Sequence, residues 1–319
     1  MRILRADLHV HSWHSRQSGN LRFLKSRDCY SPPLEVYRVA KARGMDLVTI
    51  TDHDSIDGCL ELLDRMPGAR DVFISEEVSC WLPDGGVQVH LGVYGLDERL
   101  HRELQPLRRN VFDVTARLRE AGVFFALNHL LHFYRGQLPL DAYLKLLAEV
   151  PALEVRNGTM LPAHNELVER IALSWNGPRL FARTGGSDAH TLRRIGRTWT
   201  EAPADDVPSF LESLHANRSA ARGAHGGVGC VTADAYGVVY RYCANLLGWG
   251  PRDHSAVRRA ACLAFSVVSI PAQFLPLAIV ARGKRDEARE VTRAHRALSS
   301  LLDDEGMTLA ARPELETQG

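Results

Sequence analysis

Residues 3–12 read Ile3-Leu4-Arg5-Ala6-Asp7-Leu8-His9-Val10-His11-Ser12, a short apolar run that ends in an acidic residue and an H-x-H pair. In a strand, residues two apart share a face, so His9 and His11 point the same way and can chelate one ion. The pair alone is weak, because two core histidines look identical in sequence. Accumulation raises its weight. Thr51-Asp52-His53-Asp54, Glu76-Glu77-Val78-Ser79, His90, Asn128-His129 and Gly186-Ser187-Asp188-Ala189-His190 follow in order, each at a predicted strand end. Histidines and carboxylates gathered at strand ends predict a polynuclear metal site, whose chemistry is water activation and neutralisation of anionic substrates.

Seven apolar or β-branched runs, near 3–8, 46–51, 72–78, 87–93, 122–127, 152–155 and 180–184, read as strands. Helical patterns separate several of them. Leu34 to Arg43 lies between Pro32-Pro33 and Gly44, and Leu100 to Ala121, Leu140 to Glu149 and Ala163 to Ser174 read the same way. The alternation predicts an α/β chain with parallel strands joined by crossovers, closing into a barrel whose site lies at the C-terminal strand ends. Residues 16–31 lack periodicity and carry Arg16, Arg22, Lys25 and Arg27. Two readings of that stretch stand: a lid presenting cations to a phosphate, and a solvated surface excursion.

With 319 residues, 45% hydrophobic and 24% charged, the chain can bury a full core and has an ordinary globular composition. A net charge of +1 excludes a global basic field that would gather nucleic acid or membrane, so anion recognition is expected to be local. Six scattered cysteines without a C-x-x-C predict reduced thiols in a cytoplasmic protein. No apolar signal core precedes the first strand, and secretion is not expected. Residues 1–222 are expected to form the barrel and 223–319 a helical extension, with Gly223, Gly226, Gly227 and Gly229 as a hinge. Within the extension, residues 261–281 carry no charge and are flanked by Arg258, Arg259, Arg282, Lys284 and Arg285. Their length suffices to cross a bilayer. Two readings stay open: membrane contact, and short helices broken at Pro271 and Pro276 that are buried on the barrel or against a second subunit.

Over about residues 3 to 220 these motifs resemble the polymerase and histidinol phosphatase (PHP) superfamily. The resemblance implies a distorted (β/α)7 barrel holding two or three divalent ions (zinc, manganese or iron) and phosphoester hydrolysis by a metal-activated water. Carried onto this sequence, His9 and His11 hold a first metal with Glu77 and Asp188. Glu77 bridges to a second metal held by His90 and His129, and His53 and His190 hold a third. Glu77 is preferred to Glu76 because it directly precedes the Val-Ser pair, and strand alternation sends the two to opposite faces. Glu76 is then a supporting or surface group. Asp7, Asp52 and Asp54 read either as groups that orient ligand imidazoles or as caps of the turns after their strands.

One departure from the family pattern concerns the third metal. Relatives carry Asp or His seven or eight residues after the first histidine; here Arg16 and Gln17 stand there, and neither is a normal ligand. His14 is expected to take the place, ahead of Asp28, because imidazole suits transition metals. Otherwise the third site is weak and Arg16 grips phosphate. Arg156, beyond Leu153-Glu154-Val155, is expected to bind phosphate at the barrel mouth, the alternative being a salt bridge to Glu154 or a nearby helix. Asp188 or His190 is expected to manage the leaving-group proton. The implied partner is a phosphorylated small molecule, a nucleotide or an oligonucleotide end. Hydrolysis of a non-phosphate bond and a non-catalytic binding or scaffold role are the alternatives.

Overall fold

The computed structural model describes residues 1–15, 26–83, 86–132, 140–175, 180–249, 255–268 and 274–304. Strand β1 (Arg2–Ala6) leads to helices α1 (Pro33–Ala42) and α2 (Asp57–Arg65), then β2 (Ser75–Trp81) and β3 (Gln88–Tyr94). Next come α3 (Glu98–Leu107), α4 (Val111–Ala121), β4 (Phe124–Leu127), α5 (Leu140–Glu149), β5 (Ala152–Asn157), α6 (Pro162–Ser174) and β6 (Ala182–Gly186). The chain continues through β7 (Thr198–Ala204), α7 (Val207–His215), β8 (Ala220–Gly223), α8 (Val228–Leu246), α9 (Ala256–Val268) and α10 (Leu275–Asp304). Local chemistry sets several of these bounds. Pro33 opens α1 behind Pro32, and Gly44 follows its end in the left-handed region. The expected helix from Leu100 to Ala121 is two helices, because the Asn110 side chain accepts from Phe112 N at 3.1 Å and caps a new start at α4.

Among the described residues the strands pair as two sheets, ordered β1-β7-β8 and β2-β3-β4-β5-β6. The sequence predicts parallel strands, but several of the pairs are antiparallel. β3 runs antiparallel to both β2 and β4, while β4–β5 and β5–β6 are parallel. Six residues join β2 to β3, too few for a crossover, so the chain must turn back as a hairpin. The segment near 46–51 contributes only single parallel bridges, Ala6–Leu47 and Val48–Val72. Further isolated bridges join His53 to Glu77 and Val10 to Ala189. Strands β7 and β8 and helix α2 lay outside the expected pattern. The apolar core runs from β2 and β3 (Val78, Leu91, Val93) beneath α4 (Leu118) to β5 (Leu153), all fully buried. Emptying one such position, as in Leu118→Ala, is worth about 2–5 kcal/mol, so this layer fixes the strands that carry the site.

The C-terminal helices are not held off on a hinge. Gly226 donates its N–H to Met160 O at 2.7 Å, and a Cβ there would collide with the Thr159 backbone. That glycine permits close approach rather than swinging. Helices α8 and α10 pack together, and α10 also lies on α6. The apolar run 261–281 is divided between α9 and α10, and residues 269–273, with Pro271, lie outside the described residues. No helix of the described residues is long and apolar enough to cross a membrane. Cys262 is buried against Tyr30, Tyr242 and Leu246, whereas Val267, Val268, Leu275 and Ile279 are exposed.

Candidate metal centre

The ends of β1, β2 and β6, the start of β3 and the turns after β4 and at residues 51–54 converge on one buried carboxylate. Glu77 of β2 receives five imidazoles. His9 Nε2 lies 3.1 Å and His11 Nε2 3.4 Å from its Oε2, with His53 Nδ1 at 3.2 Å. On Oε1, His90 Nδ1 is at 3.2 Å and His129 Nε2 at 3.1 Å. His90 reaches this level because β3 is antiparallel: its early residues sit beside the late residues of β2, with His90 opposite Ser79. Asp188 Oδ1 stands 3.5 Å from His9 Nε2 and 3.4 Å from His11 Nε2. His190 stacks on His11 with ring centroids 4.3 Å apart.

Four groupings bring ligand atoms close enough to share an ion: His9-His11-Glu77, His53-Glu77-His90, His9-His129-Asp188 and His11-Asp28-His53-His190. His9, His11, His53, Glu77, His90, His129, Asp188 and His190 thus meet in one pocket. The last grouping takes Asp28 and not His14, which corrects the sequence expectation. His14 Nε2 instead pairs with Glu61 at 2.6 Å, drawn outward by the same carboxylate that accepts from Trp13 Nε1. Asp28 is fixed by Ser15 Oγ, which donates to it at 2.8 Å.

Backbone geometry aims the ligands. Asp188 and His129 adopt positive φ, 50° and 29°, conformations that cost free energy and cluster at functional sites. At Gly186 a Cβ would collide with His9, so only glycine lets β6 approach the H-x-H strand. Asp7 ties the two chain regions together by accepting from Ser187 N at 2.8 Å and Gly196 N at 2.7 Å. Asp52 accepts from Ser12 N and Ser12 Oγ, both at 2.6 Å. Asp54 accepts from Ser79 N at 2.8 Å and pairs with Arg108. These hydrogen bonds of the three aspartates tether distant segments around the site and go to backbone N–H and serine groups, not to ligand imidazoles.

That orienting task falls to Glu154 of β5, which sequence reasoning missed. Its Oε1 accepts from His9 Nδ1 at 2.9 Å, and its Oε2 from His129 N at 3.0 Å and Asn157 Nδ2 at 2.9 Å. A proton on Nδ1 leaves the Nε2 lone pair of His9 turned toward Glu77 and Asp188. Asn128 donates to Glu77 at 3.0 Å. Glu76 occupies the other face, as alternation requires. It is fully buried rather than at the surface, with His101 Nδ1 2.8 Å from its carboxylate.

Arg156 does not reach the mouth. A register shift in β5 between Glu154 and Arg156 turns its guanidinium away, to Gly223 O at 3.1 Å and Glu169 of α6 at 3.7 Å. Arg16 falls outside the described residues, as does the 16–25 part of the stretch read as a lid.

The electrostatics call for cations. Burial depresses the basicity of His11 and His53, the latter well below the usual imidazole range. Burial also opposes charge on His9 and His190. The carboxylates of Glu77, Asp188 and Glu154 nevertheless hold His9 well above its ordinary value, and Asp28 and Asp188 push His190 up to about 9. Against the cost of burial, the same imidazoles keep Glu77 and Asp188 well below the carboxylate range. His9 Nε2, both nitrogens of His11, His53 Nδ1 and Glu77 Oε2 are buried without a hydrogen-bond partner among the described residues. Buried polar atoms left this way cost free energy unless something coordinates them. The mixed imidazole and carboxylate set fits divalent ions. A cavity of about 230 Å³ opens from these ligands, and its opposite wall is formed by Val231 of α8 and by Val280, Gly283 and Lys284 of α10.

Residues 162–219 match the family model described as PHP-associated. Over 75 residues, 23% of this chain, the sequence is 40% identical to an uncharacterized protein of Methanocaldococcus jannaschii, and that stretch spans 43% of the relative's length. Among solved structures, PsfC from Pseudomonas syringae PB-5123 is 19% identical with a TM-score of 0.49, covering 77% of this chain and 98% of its own. A two-domain protein from Bacteroides vulgatus, containing a predicted PHP-like metal-dependent phosphoesterase, is 17% identical with a TM-score of 0.46, covering 70% of this chain and 65% of its own. The PHP-associated match over α6 to α7, together with the ligand constellation described above, supports membership of the PHP superfamily.

Proposed function

We propose that the protein is a metal-dependent phosphoesterase that hydrolyses a phosphate ester in the cavity between the ligand cluster and the C-terminal helices. The observation that carries this reading is the convergence of five imidazoles on Glu77, with partnerless buried nitrogens beside a cavity. Glu77 with His9, His11 and Asp188 would hold one ion, and Glu77 with His90 and His129 a second. His11, Asp28, His53 and His190 would hold a third. Zinc, manganese and iron all suit such shells. Ions bound there supply Lewis acidity and lower the pKa of the attacking water.

The protein's own groups do the remaining work. Glu154 and Asn157 lock the ring of His9 and the amide of His129, so the ligand set is preorganised. Thr159 Oγ1 donates to Asp188 Oδ2 at 2.9 Å and steadies that carboxylate at the cavity edge. Where it is not held by an ion, His190, at the same edge and protonated at neutral pH, donates the proton that the leaving oxygen needs. The isolated bridges Ala6–Leu47, Val48–Val72, His53–Glu77 and Val10–Ala189 support a distorted seven-element barrel around the site.

The test is hydrolysis of a panel of phosphomonoesters, nucleotides and short oligonucleotides with manganese, zinc or iron, alongside metal analysis of His9→Ala and Asp188→Ala. Both variants are expected to lose metal and activity. Full activity in a metal-depleted double variant, or a silent phosphoester panel beside turnover of amides or lactones, would overturn the proposal.

A further inference from the structure

The cavity needs a cation for a phosphoryl group, and the two arginines expected to supply one do not serve. Arg156 faces Gly223 and Glu169, and Arg16 lies outside the described residues. Among the described residues that line the cavity, Lys284 is the sole lysine or arginine. Resting on the phosphoesterase reading, we propose that Lys284 of α10 binds the phosphoryl oxygens of a small phosphomonoester, which makes the C-terminal helix part of the active site.

The way Lys284 is held supports this. It is almost wholly buried, and its Nζ donates to Thr159 O at 2.7 Å and to Glu287 Oε2 at 2.6 Å. An ammonium has three N–H donors; two are used, and the third has no protein acceptor among the described residues. Thr159 gives its carbonyl to Lys284 and its hydroxyl to Asp188, so one residue fixes the ammonium relative to the metal-binding carboxylate. Glu287 is anchored in turn by Leu161 N, which donates at 2.7 Å, and stands 3.3 Å from His164 Nδ1. A helix that merely docked would be served as well by apolar contacts, since burying an ion pair carries a desolvation penalty. An ammonium kept at the wall of a cavity that faces metal ligands has a use: it is a compact point charge for phosphate.

The roof also sets the size of the substrate. Val231, Val280 and Met160 give the cavity an apolar side, and its roughly 230 Å³ falls below the ~300–1,000 Å³ usual for ligand pockets. A phosphate with a small organic group fits that volume.

The experiment uses the full chain loaded with manganese, with inorganic phosphate as the calorimetric probe. The variants are Lys284→Gln, which retains a donor for Thr159 and Glu287, and Lys284→Met with Glu287→Gln, which leaves no buried charge unpaired. Metal content and thermal midpoint are read in parallel. We expect the phosphate Kd and the KM for a small sugar phosphate to rise roughly 10- to 100-fold in both variants at unchanged metal content. We also expect a 5′-phosphorylated decanucleotide to be a poor substrate. If the wild type hydrolyses small phosphomonoesters while Lys284→Gln keeps the wild-type phosphate Kd and KM, this inference fails and the phosphoesterase reading survives. Equal turnover of the decanucleotide refutes the preference for a small phosphomonoester. A metal-loaded wild type that neither binds phosphate nor cleaves any phosphoester removes both.

Discussion

Glu154 and Arg156 stand two residues apart on β5, and on a regular strand they would share a face. The register shift between them separates their fates: one orients His9, the other pairs with α6. Glu154→Gln is therefore expected to lower metal affinity about 10- to 100-fold, the range for groups that orient a ligand imidazole, while Arg156→Ala leaves the KM for a phosphomonoester unchanged. Chelator competition and steady-state kinetics measure the two effects, and the reverse pattern would show the roles to be exchanged. Most histidines and acids of the centre were legible because they stand near the ends of apolar runs, and strand ends on one side of an α/β layer meet; His90, early in β3, joins them only because that strand runs antiparallel. Glu154 was not, since a bulge leaves no mark in hydrophobic periodicity. Choosing between His14 and Asp28 was equally beyond the sequence. It depends on Glu61 of α2, 47 residues away along the chain, drawing His14 to itself.

Helix α10 illustrates the same limit one level up. Its apolar start read equally well as a membrane segment or a buried element, because the residue that docks it, Glu287, lies beyond the apolar run. Burial works against ionisation of Glu287, but the hydrogen bond from His164 and the charge of Lys284 outweigh it and bring the carboxyl down to about 2. A depressed folded value stabilises docking above the ordinary 4.5 and loses that contribution as pH falls toward 2, about 3 kcal/mol in all. Burial also lowers His164 from its ordinary 6.5, so acidification below that value already favours the undocked, protonated state. The hydrogen-exchange protection factors of α10 are thus expected to fall from about pH 6.5 downward while β2 and β3 stay protected, and Glu287→Gln should remove the lower part of the transition. Uniform loss of protection across the chain would contradict a locally docked helix. At the neighbouring contact, Gly226→Ala is expected to cost about 1–3 kcal/mol by overpacking and to weaken metal binding as well, because the displaced Thr159 holds Asp188. Denaturant unfolding with metal analysis checks both.

At the scale of the whole molecule, the chain encloses a set of ionisable groups whose charges are coupled to one another. Without ions, His190 is protonated at neutral pH, with a folded value near 9 against an ordinary 6.5, and His9 is likewise raised. A raised folded value stabilises below about pH 6.5 and loses that contribution as pH climbs through 9. Coordination requires neutral imidazole, so ion binding at pH 7 must expel protons, and affinity must grow with pH. Bound ions stabilise by RT ln(1 + [L]/Kd), about 4 kcal/mol at a thousandfold excess over Kd. The thermal midpoint of chelator-treated protein is therefore expected to fall between pH 7 and 9.5, while that of the metal-loaded protein holds or rises. Calorimetric titration with manganese, in two buffers of different ionisation enthalpy, should report net proton release at pH 7. Binding with no proton release, or metal-loaded and chelated proteins with the same pH dependence of melting, would mean that His9 and His190 do not share the ions, and that the convergence on Glu77 serves packing instead of coordination.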